Sequence, residues 1–323
     1  MTKLLNLIII VLALVLVFII VYPQWQENRP IDMRIGCDST VNSNIFIITQ
    51  SRGFFQQEKI NTQFVFYQDP TMMLSDLAAD KIDCAVCPWP TLLKWAVASE
   101  DSFKAITSVE YRTSIPIDAI FAKPAVRNPI TQMRDLKNKR LGYPTQLKDV
   151  MPVVISGMGF KENEIRLVDL SNGSLITALN DNQVDAIIVL EPERTAALNQ
   201  GLVSVSDPAL PKLVIAPYPG AAVIVKNDFI VNKRRAAFKF KMVLDASVAY
   251  ADANVEDSRR MFLSFFNLDQ DIYGNCYLPQ NQKLLEINKG AIISMMAKMF
   301  EVGAITNTFD VQALFPLPAQ FRQ

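Results

Sequence analysis

The chain has 323 residues, room for about two domains that each bury a core. Its 32 Lys plus Arg balance 32 Asp plus Glu, so neither a basic nucleic-acid surface nor an acidic disordered tail is indicated. It contains no histidine, which excludes Ser-His-Asp, Cys-His and H-E-x-x-H chemistry and removes the commonest general base and metal ligand.

Residues 4–22, LLNLIIIVLALVLVFIIVY, are apolar apart from Asn6 and close to the length that spans a bilayer. Lys3 precedes the run, and Tyr22, Pro23 and Trp25 follow it without a small-residue cleavage site. This pattern reads as an uncleaved membrane anchor (1–22) with its N-terminus in the cytoplasm, rather than a removed signal. A polar linker (23–32) follows. Strand and helix signals then alternate, as in an α/β sheet. Strands are expected at 33–37, 61–68 and 82–87, with helices at 42–51, after Asp69-Pro70-Thr71, and at 91–99. A second set begins near 116. Its strands are 117–123, 139–144, 165–170 and 184–192, and its helices 149–158, 174–181 and ERTAALNQ after Pro192. The last third reads as helical over 233–253, 258–266 and 283–303. Met295, Met296 and Met299 follow helical spacing and read as core.

The stretch DCAVCPWP (83–90) carries Cys84 and Cys87. A redox C-x-x-C needs its first thiol at a helix N-terminus, whereas these two fall in an apolar strand, where positions three apart face opposite sides. A second C-x-x-C for zinc is missing, so no metal or cofactor is expected. A disulfide between Cys37 and Cys87, on neighbouring strands, stays open as an alternative.

Several segments, in order, resemble the substrate-binding proteins of ABC importers for nitrate, sulfonates, taurine and thiamine-precursor pyrimidines. They are SRGFFQQEKINTQFV (51–65), LAADKIDCAV (77–86), DLKNKRLG (135–142) and ALNDNQVDAIIVLEP (178–192). Where that family favours glycine, this chain has Asp80, Asn138 and Asn182, the residue types that best tolerate positive φ after glycine. The resemblance implies an α/β, two-lobed periplasmic-binding-protein-like fold (type II, Venus-flytrap), preceded here by the transmembrane helix. Lobe 1 would hold 33–116 with 222–323 and lobe 2 would hold 117–221, with crossings near 116–121 and 220–225. It further implies a non-enzymatic extracytoplasmic protein, anchored in the cytoplasmic membrane with its globular part periplasmic or extracellular. Such a protein captures a small solute for an ABC permease and ATPase. A ligand-sensing or scaffold ectodomain signalling through a partner chain is the alternative. The pyrimidine-synthase branch of the family relies on histidine, which this chain lacks.

Ligands of open α/β sheets bind beyond the carboxyl ends of the strands. The candidate ligand-binding residues there are Ser39, Thr40 and Asn42, then Pro88 and Trp89, then Tyr143, Thr145 and Gln146, and finally Glu191. Ser39, Thr40 and Asn42 serve equally as helix caps. Trp89 offers a flat apolar face at the cleft lip, against a role in interlobe packing. Glu191 could accept from a ligand amine or pair with Arg112 or Arg194. The set is neutral or acidic, which favours a neutral, zwitterionic or heteroaromatic solute with N–H donors over an oxyanion.

Overall fold

The computed structural model describes residues 6, 9–12, 14–19, 29–99, 103–268 and 274–321. Among these, no helix is long and apolar enough to cross a membrane. The described residues of 1–22 are helical, and the rest of the expected anchor lies outside the described residues.

Two sheets organise the chain. The first has the order β11-β4-β10-β3-β1-β2. Its strands are β1 Ile31–Cys37, β2 Ile60–Phe66, β3 Cys84–Pro88, β4 Phe103–Tyr111, β10 Tyr218–Lys226 and β11 Gln280–Lys283. The second has the order β7-β6-β8-β5-β9, from β5 Asp118–Ala122, β6 Arg140–Pro144, β7 Arg166–Leu170, β8 Ala186–Leu190 and β9 Val203–Ser206. The cores match: β1 runs parallel between β2 and β3, and β6 runs parallel between β7 and β8. Each parallel trio is then joined by an antiparallel strand: β10, which returns from far along the chain, in one sheet, and β5, the strand just before β6, in the other.

Helices cover the sheets: α1 Asn44–Ser51, α2 Pro70–Ala78, α3 Trp89–Ala98, α4 Met151–Gly157, α5 Leu175–Asn180, α6 Glu193–Asn199, α7 Asn227–Asn232, α8 Arg234–Ala253, α9 Val255–Phe265 and α10 Lys289–Glu301. Local sequence explains several boundaries. Asp69 caps α2 by accepting from the Thr71 N–H at 2.8 Å, with Pro70 at the first position, where no N–H is needed. Asn288 caps α10 through the Ala291 N–H. Met295, Met296 and Met299 are buried on one face of α10, as their spacing predicts.

Three features differ from the sequence reading. The first is β4, FKAITSVEY, which was not expected as a strand; its inward polar residues disguise it. Thr107 and Ser108 are buried and donate to the backbone carbonyls of Gln282 (2.7 Å) and Ala221 (3.0 Å). The second is the return crossing: β10 already pairs with β4 from Tyr218, so the chain re-enters the first sheet ahead of 220–225. The third is the last third, which holds a short strand, β11, where a continuous helix from 283 was expected.

The three positions that replace family glycines do adopt the left-handed backbone, with φ of 57° at Asp80, 59° at Asn138 and 57° at Asn182. All four cysteines are buried and free, so Cys37 and Cys87 are not bridged. Burial pushes the Cys37, Cys84 and Cys87 thiols far up, which leaves no nucleophile at DCAVCPWP.

Asn138 gives a direct test of the turn argument. Asn138→Ala should lower stability by about 1 kcal/mol, because alanine gains nothing locally at positive φ, while Asn138→Gly should be neutral or stabilising. Urea unfolding of the two variants checks this, and equal losses in both would contradict it.

Candidate functional site

The carboxyl ends of β1 and β2 face those of β6, β7 and β8 across a cleft. A cavity of about 430 Å³ lies there. The first lobe contributes Ser39 and Thr40 after β1, and Phe266 and Leu268 after α9. The second contributes Asn172 and Gly173 after β7, Glu191 and Glu193 after β8, and faces of α5 and α6. Among the described lining residues there is no lysine or arginine.

The loop after β1 is built around Asp38. Its buried carboxylate accepts from the Thr40 N–H (3.0 Å), the Thr40 hydroxyl (2.8 Å), the Asn42 amide (3.3 Å) and the Ser43 hydroxyl (3.0 Å). Burial still raises the Asp38 carboxyl above its ordinary range, and those donors oppose the rise. Thr40 also accepts from the Asn42 N–H, and Asn42 accepts from the Tyr111 hydroxyl at 2.5 Å. Thr40 and Asn42 therefore hold the loop together. Ser39 and Thr40 line the cavity, whereas Asn42 does not.

Pro88 and Trp89 lie elsewhere than expected. Both are fully buried in the first lobe. The Trp89 indole N–H donates to Ser108 Oγ at 2.9 Å, and its ring packs 5.9 Å from that of Phe315. Trp89 fills the core below the cleft and is not at its lip.

In the second lobe, Tyr143, Thr145 and Gln146 lie at and just after the carboxyl end of β6, and none of them lines the interlobe cavity. Tyr143 is half-buried beside Asp169, and burial followed by that carboxylate pushes its phenol up to about 12. Thr145 donates to Asp169 Oδ1 at 2.5 Å. Gln146 is 3% exposed, and neither its amide N–H nor its carbonyl has a partner. A buried amide without partners is uncommon, because each unmet group keeps its desolvation cost. Asn172 Nδ2, in the cavity wall, is likewise buried and unpartnered.

Glu191 is fully buried, with its carboxylate already engaged. It accepts from Arg194 Nη1 (3.1 Å), the Thr195 N–H (3.1 Å) and hydroxyl (2.9 Å), and the Tyr277 N–H of the first lobe (3.4 Å). Burial raises its carboxyl to about 6 against these donors. Of the two arginines considered, Arg194 is the partner; Arg112 pairs with Glu110 at 2.9 Å.

Sequence reasoning missed Glu193. It opens α6 and lines the cavity, accepts from the Gly173 N–H (2.6 Å), and burial pushes its carboxyl up to about 7. The acidic pair flanking Pro192 was the available signal. The contacts that join the lobes were missed as well. Lys148 pairs with Asp69 at 2.6 Å, and Asp149 accepts from Thr91 and Lys94, both at 2.8 Å. Lys148 is thus placed to fasten the lobes. Burial tends to raise the Asp69 carboxyl, but Lys148 and the Thr71 N–H prevail and hold it below its ordinary range.

Residues 40–258 match the family described as NMT1/THI5 like. The chain belongs to the NMT1/THI5-like family. A Haemophilus influenzae protein whose name assigns it to thiamine biosynthesis is 24% identical over 224 residues, 68% of each chain. The alkanesulfonate-binding protein SsuA from Xanthomonas axonopodis pv. citri superposes with a TM-score of 0.67 at 16% identity, over 90% of this chain and 96% of that one. The periplasmic nitrate-binding protein NrtA from Synechocystis PCC 6803 gives 0.70 at 11% identity, over 88% and 85%. At these identities the likeness establishes the two-sheet periplasmic-binding-protein fold of this NMT1/THI5-like chain.

Of the raised carboxyls, the two pushed highest set most of a pH dependence, to which Glu191, raised to about 6, adds at lower pH. Glu193 and Asp118, the latter fully buried at the start of β5, are both pushed up to about 7 by burial. Both lie above their unfolded values, so the folded chain holds these protons more tightly. The stability they contribute is full below about pH 4 and is lost as pH rises through about 7. Unfolding free energy should therefore fall between about pH 4 and 7, by at most about 1.4 kcal/mol per pH unit for each group. Glu193→Gln and Asp118→Asn should each remove one share of the slope. A flat profile in the unsubstituted protein would refute the assignment.

Proposed function

We propose that this chain is an extracytoplasmic solute-binding protein, not an enzyme. It captures a small organic solute between its lobes and delivers it to the permease and ATPase of an ABC importer. The observation that carries the reading is an interlobe cavity walled by a raised carboxyl, Glu193, with no lysine or arginine among its described lining residues. Buried amides with unmet hydrogen bonds accompany it, Asn172 in the cavity wall and Gln146 at the same end of the sheet. A protonated or hydrogen-bonding Glu193 suits N–H-bearing solutes, and sites for nitrate or sulfonate need the positive groups that this wall does not offer.

The hydrophobic run 4–22 supports a tether to the cytoplasmic membrane, with the lobes periplasmic or extracellular. The lack of histidine argues against the synthase chemistry of the family's thiamine branch. The ligand contacts assigned here are Ser39, Thr40, Tyr143, Thr145, Gln146, Asn172 and Glu193. Lobe closure brings them together, with Lys148–Asp69 and the Asp149 contacts as fasteners.

Calorimetric titration with aminopyrimidines and amines, against taurine and nitrate, tests the reading. Binding of the first group and not the second is expected. Gln146→Ala should weaken that binding about tenfold, the loss of one good hydrogen bond. Lys148→Ala should cost about threefold or less, because a partly exposed ion pair is worth under ~1 kcal/mol. Tight binding of taurine or nitrate alone would overturn the solute class.

A further inference from the structure

A second cavity, of about 230 Å³, shares no lining residue with the interlobe one. It lies in the first lobe, where the end of α8, the first two turns of α9 and the strap Tyr277–Asn281 meet the hinge at Ile115. Three polar atoms in its wall are buried and without partners: Ser258 Oγ, Arg259 Nε and Asn281 Oδ1. Ser258 is 1% exposed and Asn281 4%.

The orientation of Asn281 is fixed by a relay. Asn44 donates its amide N–H to the Val41 carbonyl at 2.7 Å, so its Oδ1 is the acceptor. Asn281 Nδ2 donates to that oxygen at 2.9 Å. The group left over in Asn281 is thus an acceptor. Arg259 is fixed too. Its Nη1 is spent on the Gly274 carbonyl (2.9 Å) and on Glu256 (3.1 Å), and its guanidinium lies 5.9 Å from the Tyr277 ring centre. The buried donor without a partner is the charged Nε–H. The Ser258 hydroxyl, one residue before it, adds another donor.

One wall therefore offers a charged donor beside a hydroxyl, and a buried amide acceptor. Asp252, at the exposed rim, adds a carboxylate that accepts from the Gln280 amide at 2.7 Å through Oδ1, so Oδ2 is the oxygen that faces a ligand. Ile115, Val255 and Leu278 supply apolar surface. We propose that this cavity binds a small aliphatic α-amino acid. The carboxylate would take the Arg259 Nε–H and the Ser258 hydroxyl, the ammonium group would face Asn281 Oδ1 and Asp252, and the side chain would lie on the apolar wall. The volume falls below the ~300 Å³ lower bound of drug-sized sites, which fits a ligand of this size. An unpaired guanidinium donor and an unpaired amide acceptor in one cavity select a molecule with both charges, since a ligand with only one leaves the other group unmet.

The test is calorimetry on the full chain with L-valine, isovalerate and isobutylamine, which keep the branched side chain and remove one charged end at a time. L-valine should bind, with each analogue at least tenfold weaker as a competitor for bound L-valine, so that an amine held between the lobes does not count. Arg259→Lys, which keeps the charge and removes Nε, and Ser258→Ala should each weaken L-valine at least tenfold. Glu193→Gln, which alters the interlobe cavity, should leave L-valine affinity within twofold. A crystal grown with L-valine should show it against Ser258, Arg259 and Asn281. The proposal is overturned if L-valine does not bind at millimolar concentration, or if isovalerate or isobutylamine displaces bound L-valine as well as L-valine itself does. It is equally overturned if the crystal holds only water in this cavity, or if Glu193→Gln abolishes binding that Arg259→Lys preserves.

Discussion

Asp38 lies inside the first lobe with a carboxylate that only its own loop can satisfy, and much of the cleft is arranged by that need. A buried charge must be met by donors or it destabilises the fold. The donors here come from Thr40, Asn42 and Ser43, within five residues of the acid. Meeting them fixes the turn from β1 into α1 and puts Ser39 and Thr40 at the cleft. Asn42, held by the same acid, accepts from Tyr111, whose ring lies 5.4 Å from that of Tyr218. These tyrosines end β4 and begin β10, the strands that leave and re-enter the first sheet. One acid thus ties the cleft loop to the place where the chain changes lobes.

The second lobe solves the same problem with other groups. Asp118, at the start of β5, accepts from the Ala209 and Leu210 N–H groups at 2.9 and 2.6 Å. Glu191 is met by Arg194 and Thr195, and Arg194 in turn pairs with Asp207 at 2.6 Å. These pairs lie within the lobe and stay intact if it moves as a body. The polar contacts between lobes are a partly exposed pair, Lys148 with Asp69, the buried Thr91 bond and the Lys94 pair to Asp149, and the long Tyr277 bond to buried Glu191. A partly exposed ion pair such as Lys148 with Asp69 contributes little, so most of the polar attachment between the lobes lies in the buried Asp149 contacts.

Much of the fold was legible because its signals are local. The parallel strands are short apolar runs, and Asp69-Pro70 and Pro152 mark helix starts where proline is tolerated. The αL positions at Asp80, Asn138 and Asn182 followed from residue chemistry and a family pattern. What escaped depends on partners far along the chain. β4 carries buried Thr107, Ser108 and Glu110, and its polar groups are satisfied by β10 and β11, more than a hundred residues away. Trp89 read as a cleft residue because strand ends point there, but Ser108 draws its indole into the core. Glu193 was passed over beside Glu191, since nothing local says which of two acids near a proline will find arginine and which will face a cavity.

The burial of every thiol has a practical consequence. Cys37, Cys84, Cys87 and Cys276 are all inside the fold, and desolvation keeps each as the unreactive thiol. The folded chain is in effect a cysteine-free background. A single cysteine introduced on an exposed helix face of either lobe would be the one group to take up a maleimide dye or spin label. Pairs of such labels across the cleft would turn the distance between the lobes into an optical or magnetic signal, with no native residue removed.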